Sequence, residues 1–356
     1  MVDYLRRTGT RTGLLCRLAG KLPLPGLRRC VARYGTRVSV NAAIVTVADD
    51  IHALAVAHEL RSRPGTECAI IEVDRLVNSG GFNWQAHVAD SQVPSQPEPT
   101  HVANLDVIWW RRANAPDRAD LSGLTPPQAD VVRNDTKTSL RGILLTDFRG
   151  SWVSDPAATE LADNKLSQLR VARDVGFTVP RTLVSNNPTA VRDFCDGLGN
   201  DVVVKLVHGS RAMGAIPTRM VTAEVLDDEA SIRVAPTIYQ QFVGGTHHLR
   251  AHVFGDNVYA AMLDSDRLDW RVDLTTPMAN WAVPEKLRHM LCEVVRRLGL
   301  RMGIVDLKLD EDGDPVWLEL NPQGQFLFVE ALAGIPLTTL LANFLTSEAH
   351  RQRVEV

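Results

Sequence analysis

Residues 316–330 read VWLELNPQGQFLFVE. The alternation describes a strand that carries Glu319 and Asn321 on the face of Trp317. A solvated edge would explain the two polar residues, but the preceding stretch argues otherwise. GIVDLKL (303–309) reads as a partner strand, joined to the first by the acidic turn 310–314. Closing the hairpin with Asp310 opposite Pro315 sets Lys308 against Trp317 and Asp306 against Glu319. Period-2 alternation then sends Val305, Leu307, Leu309, Val316, Leu318 and Leu320 to the other face, which must be buried. Opposed side chains on one face lie about 5 Å apart at Cβ, and two carboxylates there repel unless a cation or proton intervenes. The polar face carries Asp306, Lys308, Glu319 and Asn321, an oxygen-rich cluster suited to Mg²⁺, which takes one or two carboxylates plus substrate phosphates. A phosphate donor would complete the site. No GxxxxGK[ST] occurs, and HGSRAMG (208–214) does not fit it, which excludes a P-loop.

The 356-residue chain, 45% hydrophobic with a formal net charge of -3, is long enough for a large core and two or three domains. Residues 1–40 hold nine Lys/Arg (Arg6, Arg7, Arg11, Arg17, Lys21, Arg28, Arg29, Arg33, Arg37) against Asp3 alone. This reads as a basic extension ahead of the first domain rather than a nucleic-acid or membrane-binding arm. The apolar stretch at Leu14–Leu15 is too short for a signal segment or a spanning helix. The expectation is a cytoplasmic protein with neither a nucleic-acid nor a membrane partner. Cys16, Cys30, Cys68, Cys195 and Cys292 show no CxxC spacing and signal neither zinc nor disulfides.

The pattern is mixed α/β (α+β). VSVNAAIVTVADDIHALAVAHELRSRPGTECAIIEVD (38–74) alternates strand, helix and strand, and DSQVPSQPEPT (90–100) interrupts it as a loop. A strand runs through LDVIWW into Arg111 and Arg112, two arginines that are either substrate-facing or paired in salt bridges. A helical segment covers about 128–150. Leu166, Leu169 and Val175 describe a helix stopped by Gly176 and Pro180. VVVK (202–205) and YQQFV (239–243) are strands, HLRAHVFGDNVYAAML is a hairpin turning at Gly255-Asp256-Asn257, and Leu287 to Leu298 follow helical spacing up to Gly299. His247, His248 and His252 share one short segment but lack the carboxylate or thiolate company of a metal site.

Lys165 in DNKL, Lys205 in VVVKLV, YQQFV, Arg250 in HLR, and Asp306 with Glu319-x-Asn321 resemble, in order, the elements of the ATP-grasp superfamily. IWWRRANAPD, WVSDPAATELADNKLSQLRVARDVGFTVPRT, LDWR and ELNPQGQFLFVE resemble graspetide synthetases of the MvdD type, RimK-like maturases that macrocyclise ribosomal peptides. The resemblance spans roughly residues 40–345. It implies an ATP-grasp fold: a basic extension over 1–40, a Rossmann-like pre-ATP-grasp domain over 41–154, and two α+β subdomains, 155–245 and 246–356, clasping ATP. Lys165 and Lys205 would hold the α- and β-phosphates, and the backbones of Gln241 and Val243 the adenine. Asp306, Glu319 and Asn321 would ligate one or two Mg²⁺ ions, while Arg250 and Arg271 would face the γ-phosphate and the acyl-phosphate. His248 stands where the family usually has an acid for the ribose hydroxyls. The implied partner is a precursor peptide with a leader segment, and the family's frequent dimers allow a homodimer. The loop 208–215, with Gly209, Arg211 and Gly214, is either a closing flap or an ordinary loop. A RimK-like amide ligase acting on a small molecule or protein terminus stays open. So does a non-catalytic leader-peptide-binding module.

Overall fold

The computed structural model describes residues 39–351 apart from 78, 115–117, 209–215 and 273–275. The basic residues before Ser39 and the loop 209–215 therefore lie outside the described residues.

The chain opens with β1 (Val40–Thr46), α1 (Ile51–Arg61) and β2 (Thr66–Glu72). β1 is buried along almost its whole length, as a parallel strand covered on both faces must be. The Asp50 side chain accepts from the His52 N–H and caps α1. A small antiparallel sheet of β3 (Asn83–Gln85), β4 (Val88–Val93) and β5 (Thr100–His101) follows. Residues 90–93, expected in a loop, thus belong to a strand: Ser91 and Val93 are buried on one face, so burial overrides a polar composition. β6 (Val107–Trp110), α2 (Pro126–Asp147) and β7 (Ser151–Val153) complete a four-stranded parallel sheet in the order β2-β1-β6-β7.

Next come α3 (Pro156–Ala162), α4 (Lys165–Val175), β8 (Thr182–Ser185), α5 (Pro188–Asp196), β9 (Val202–Lys205), β10 (Arg219–Met220), α6 (Ala223–Asp227), α7 (Glu229–Val234) and β11 (Thr237–Gln241). Their strands form an antiparallel sheet ordered β10-β9-β11-β8. Asn164 caps α4 by accepting from the N–H groups of Leu166 and Ser167, and Gly176 ends it in the left-handed conformation. The buried face of α4 centres on Gln168 and Ala172, while Leu166 is exposed.

The last section holds β12 (His247–Phe254), β13 (Asn257–Asp264), β14 (Met278–Trp281), α8 (Glu285–Arg297), β15 (Met302–Leu309), β16 (Pro315–Asn321), α9 (Leu327–Ala333) and α10 (Leu337–Arg351). The antiparallel sheet is ordered β14-β13-β12-β15-β16. One face packs Leu249, Ala251, Val305, Leu307, Trp317 and Leu320 against Leu287, Leu291, Val294 and Val295 of α8. The linker from β11 to β12 crosses close above β15. A Cβ at Gly245, whose φ is +83°, would lie 2.5 Å from the Leu309 carbonyl oxygen, so glycine is required there.

The β15–β16 ladder corrects the expected register. Asp306 does face Glu319, but Leu307 faces Trp317 and Lys308 faces Val316, with an irregularity between the two parts. Leu318 is the extra residue of a bulge. Trp317 consequently turns to the core face, fully buried with its ring 5.2 Å from that of Phe177, on the side opposite Glu319. Burying the indole outweighs keeping strict alternation.

Candidate active site

The face of the last sheet that looks away from α8 carries residues in rows set by the ladder. Arg250 on β12 stands opposite Asp306 on β15, which stands opposite Glu319 on β16. One pleat away lie His248 and Lys308; one pleat the other way lie His252, Ile304 and Asn321. Arg250 Nη1 donates to both Asp306 carboxylate oxygens at 2.7 and 2.9 Å, and its Nη2 donates to the Gln325 carbonyl at 3.0 Å. The guanidinium sits 5.5 Å from the centre of the Phe328 ring and 5.7 Å from that of Trp270.

Glu319 gathers cations from three elements. Arg271 Nη1 donates to its Oε1 at 2.6 Å, and Lys165 Nζ, at the start of α4, lies 3.3 Å from its Oε2. Lys205, at the end of β9, acts on it electrostatically. Burial opposes ionisation of Glu319, but Arg271, Lys165 and Lys205 together hold its carboxyl below the usual carboxylate range. Asp306 moves the other way: burial pushes its carboxyl up, with Arg250 opposing and Glu319 adding to the shift. Burial lowers the Lys205 ammonium to about 8, although Glu319 pulls it up. Arg271 is held in turn by Asp269, which accepts from Nε at 2.8 Å and from Nη2 at 2.9 Å. Asp269 was not singled out from the sequence, although LDWR places it two residues before Arg271.

The other expected residues are distributed as follows. Asn321 is exposed beyond Glu319, its Oδ1 accepting from the Gln323 N–H at 3.0 Å. Gln241 and Val243 flank Phe242 at the mouth of the linker; the Gln241 N–H is taken by the Arg181 carbonyl at 2.8 Å. His248 is 3% exposed. Burial, with Lys308 beside it, lowers its pKa to about 4 and leaves the ring neutral. No group of three His, Cys, Asp or Glu that could hold a metal occurs among the described residues.

Neighbouring structure fixes this face through contacts that no sequence spacing announces. β16 is the sheet's edge, and the Gln168 side chain pairs with it as another strand would. Its Nε2 donates to the Leu320 carbonyl and its Oε1 accepts from the Leu320 N–H, both at 2.8 Å. The loop after β16 is held by the first sheet. Arg111, wholly buried, donates to Asp50 Oδ2 at 2.7 Å and to the carbonyls of Gln323 and Gly324 at 3.1 and 2.9 Å. The Arg112 N–H donates to Gln323 Oε1, and the N–H groups of Phe326 and Leu327 donate to His52 Nδ1. Arg111 is therefore an interior strut. A Cβ at Gly324 would lie 2.7 Å from Ile304 Cδ1, so the loop rests directly on β15.

No family model matches the chain. A curated relative, the probable alpha-L-glutamate ligase of Shewanella loihica, is 24% identical over 208 residues, 55% of this chain and 67% of the relative. The macrocyclase MdnC of Microcystis aeruginosa MRC, solved with its precursor peptide MdnA, superposes with a TM-score of 0.78 at 23% identity, covering 86% of this chain and all of MdnC. This chain has the ATP-grasp fold. The ATP-grasp ligase PsnB, solved with a phosphomimetic variant of its minimal precursor, Mg and ADP, superposes with a TM-score of 0.71 at 23% identity over 87% of this chain. The fold is thus shared with solved ATP-grasp ligases, and the curated relatives it resembles are named ligases. Among the described residues, no helix is long and apolar enough to cross a membrane.

Proposed function

We propose that this chain is an ATP-grasp ligase that activates a side-chain carboxylate of a ribosomally made precursor peptide and closes a ring with a hydroxyl or amine of the same peptide. One observation carries the reading. Lys165 and Arg271 converge on Glu319, within the electrostatic reach of Lys205, beside the Arg250–Asp306 pair. Such a field suits a triphosphate and the charge that develops as its terminal phosphoryl group is transferred.

In the proposed reaction a carboxylate oxygen of the peptide attacks the γ-phosphorus of ATP, the bond to the β-phosphate oxygen breaks, and ADP leaves. A Ser/Thr hydroxyl or Lys amine then attacks the acyl carbon, inorganic phosphate departs, and the nucleophile loses its proton. The product is an ω-ester or ω-amide. Lys165 and Lys205 would hold the α- and β-phosphates. Gln241 and Val243 would receive the adenine at the linker, with His248 beside the ribose. Arg271, oriented by Asp269, would meet the γ-phosphate and the acyl-phosphate together with Arg250, oriented by Asp306 and the Gln325 carbonyl. Because these arginines are locked by their own partners, little reorganisation is needed during the reaction. The all-oxygen donor set of Asp306, Glu319 and Asn321 fits Mg²⁺ completed by phosphates. Bound there, Mg²⁺ would neutralise phosphate charge. MdnC and PsnB were both solved with precursor peptides, which supports a peptide partner here.

The test is co-expression with candidate precursor peptides, followed by mass spectrometry. Loss of one water per ring, abolished in Glu319→Gln, is the expected result. An unchanged peptide mass across the candidates counts against cyclisation. The glutamate-ligase relative favours one other reading, an amide ligase acting on a free amino acid. ADP release with amino acids alone, without peptide, would select it.

A further inference from the structure

Lys308 differs from the other cations of this face. Lys165 and Arg271 are bonded to Glu319, and Arg250 to Asp306. The Lys308 ammonium has neither an ion pair nor a hydrogen bond among the described residues, although the residue is only 6% exposed. Its Nζ lies 5.0 Å from the centre of the Phe242 ring. Its row across the sheet runs Leu263, His248, Lys308, Val316 and contains no acid. An ammonium on so largely buried a residue, with no anion or acceptor from the chain, gives up much of its hydration, and an apolar side chain of similar length would relieve the cost. A charge kept in such a place points to a partner that is not part of the chain.

Position limits what that partner is. Lys308 lies two residues along β15 from Asp306, a displacement of about 7 Å at the rise of a strand. The displacement leads away from the carboxylate pair and toward the linker, where Phe242 sits between Gln241 and Val243. Anything bound with its phosphates at Lys165, Arg271 and Glu319 therefore presents its sugar and base to Lys308. Resting on the nucleotide reading above, we propose that Lys308 is a nucleotide-binding residue that donates a hydrogen bond to an acceptor on the ribose and base of ATP. An ammonium only donates, and a neutral His248 supplies one donor and one acceptor. This row thus reads the nucleotide chiefly through its oxygen and nitrogen lone pairs. The aliphatic stem of Lys308 and the Phe242 ring form the floor beneath it.

The test measures three quantities on wild type and Lys308→Met: thermal midpoint without ligand, affinity for MgATP, and affinity for Mg-tripolyphosphate, which has phosphates but no sugar or base. Removing an unpaired buried charge should leave the midpoint unchanged or raise it. Loss of a charged hydrogen bond should weaken ATP about tenfold or more while tripolyphosphate binds as before. Equal ATP affinity in wild type and variant overturns the proposal. So does a parallel loss for tripolyphosphate, which would assign Lys308 to the phosphates. Lys308→Gln, which retains a donor, should recover part of the ATP affinity; an unfolded protein in both variants would mark Lys308 as structural and also overturn the proposal. Wild type that binds no ATP at all fails the nucleotide reading itself, a result distinct from ATP binding that the variant leaves intact.

Discussion

At the scale of single residues, Glu319 compensates three cations drawn from α4, β9 and the Arg271 segment. Glu319→Gln leaves Lys165, Lys205 and Arg271 repelling one another. Because Glu319 helps keep the Lys205 ammonium protonated, its removal drops that pKa below its present value of about 8. Turnover should fall at least about a hundredfold, the order seen when one preorganised electrostatic group is lost. Steady-state ADP release in the presence of a processed peptide measures it, and retention of more than a tenth of the rate would contradict the role. Gln168 supplies a contrasting case, structural rather than chemical. Its amide satisfies both the N–H and the carbonyl of Leu320, beside Glu319. Gln168→Met should destabilise the fold by about 3 kcal/mol or more, because the Ala162 carbonyl and both backbone groups of Leu320 lose a partner at about 1–3 kcal/mol each. Denaturant unfolding checks this, and a midpoint equal to wild type rules it out.

At the scale of elements, the loop from Asn321 into α9 hangs from the first sheet by Arg111, the Arg112 N–H and His52. The same loop gives its Gln325 carbonyl to Arg250. The two sheets thus meet at a strut that ends in the site. Arg111→Met strands the buried Asp50 carboxylate and should cost about 3–5 kcal/mol, whereas Asp50→Asn/Arg111→Met should recover much of the loss because no buried charge then remains. Comparing the double variant with the two single ones measures the coupling; additive effects would show that the pair is not a unit. Sequence periodicity was enough to find β12, β15, β16 and α8 and the facing of Asp306 and Glu319, because each rests on local alternation and a buried face. It could not reveal the Leu318 bulge, which exists because Trp317 finds Phe177 across the core. Nor could it decide between the two readings of Arg111, whose partners Gln323 and Gly324 lie more than 200 residues away. Lys165, Lys205, Arg250 and Arg271 became legible only as an ordered set resembling a family, since each is unremarkable alone.

At the scale of the whole molecule, three buried histidines, His52, His248 and His252, tie stability to pH. His52 Nδ1 accepts from two backbone N–H groups, so it must carry a lone pair rather than a proton. Burial, reinforced by Arg111, lowers its pKa to about 4. His252, wholly buried in β12 with Nδ1 3.3 Å from the Tyr259 carbonyl, is lowered to about 3 by burial and by Arg250. With His248 at about 4, all three folded-state values lie below the ordinary 6.5. Above that value neither the folded nor the unfolded chain binds these protons, and the histidine contribution is flat. As pH falls from 6.5 toward 4, the unfolded chain takes up all three protons while the folded chain refuses them. Stability therefore drops by about 1.4 kcal/mol per pH unit for each histidine, and the contribution levels off once the folded state also protonates. Urea midpoints at pH 7.5, 6 and 5 should decline only across the acidic interval. His52→Gln, whose amide oxygen can still accept from the Phe326 N–H, should remove about a third of that decline. A wild-type midpoint as high at pH 5 as at pH 7.5 would mean that the strut and the site sheet tolerate imidazolium, contrary to the lone-pair geometry that His52 shows.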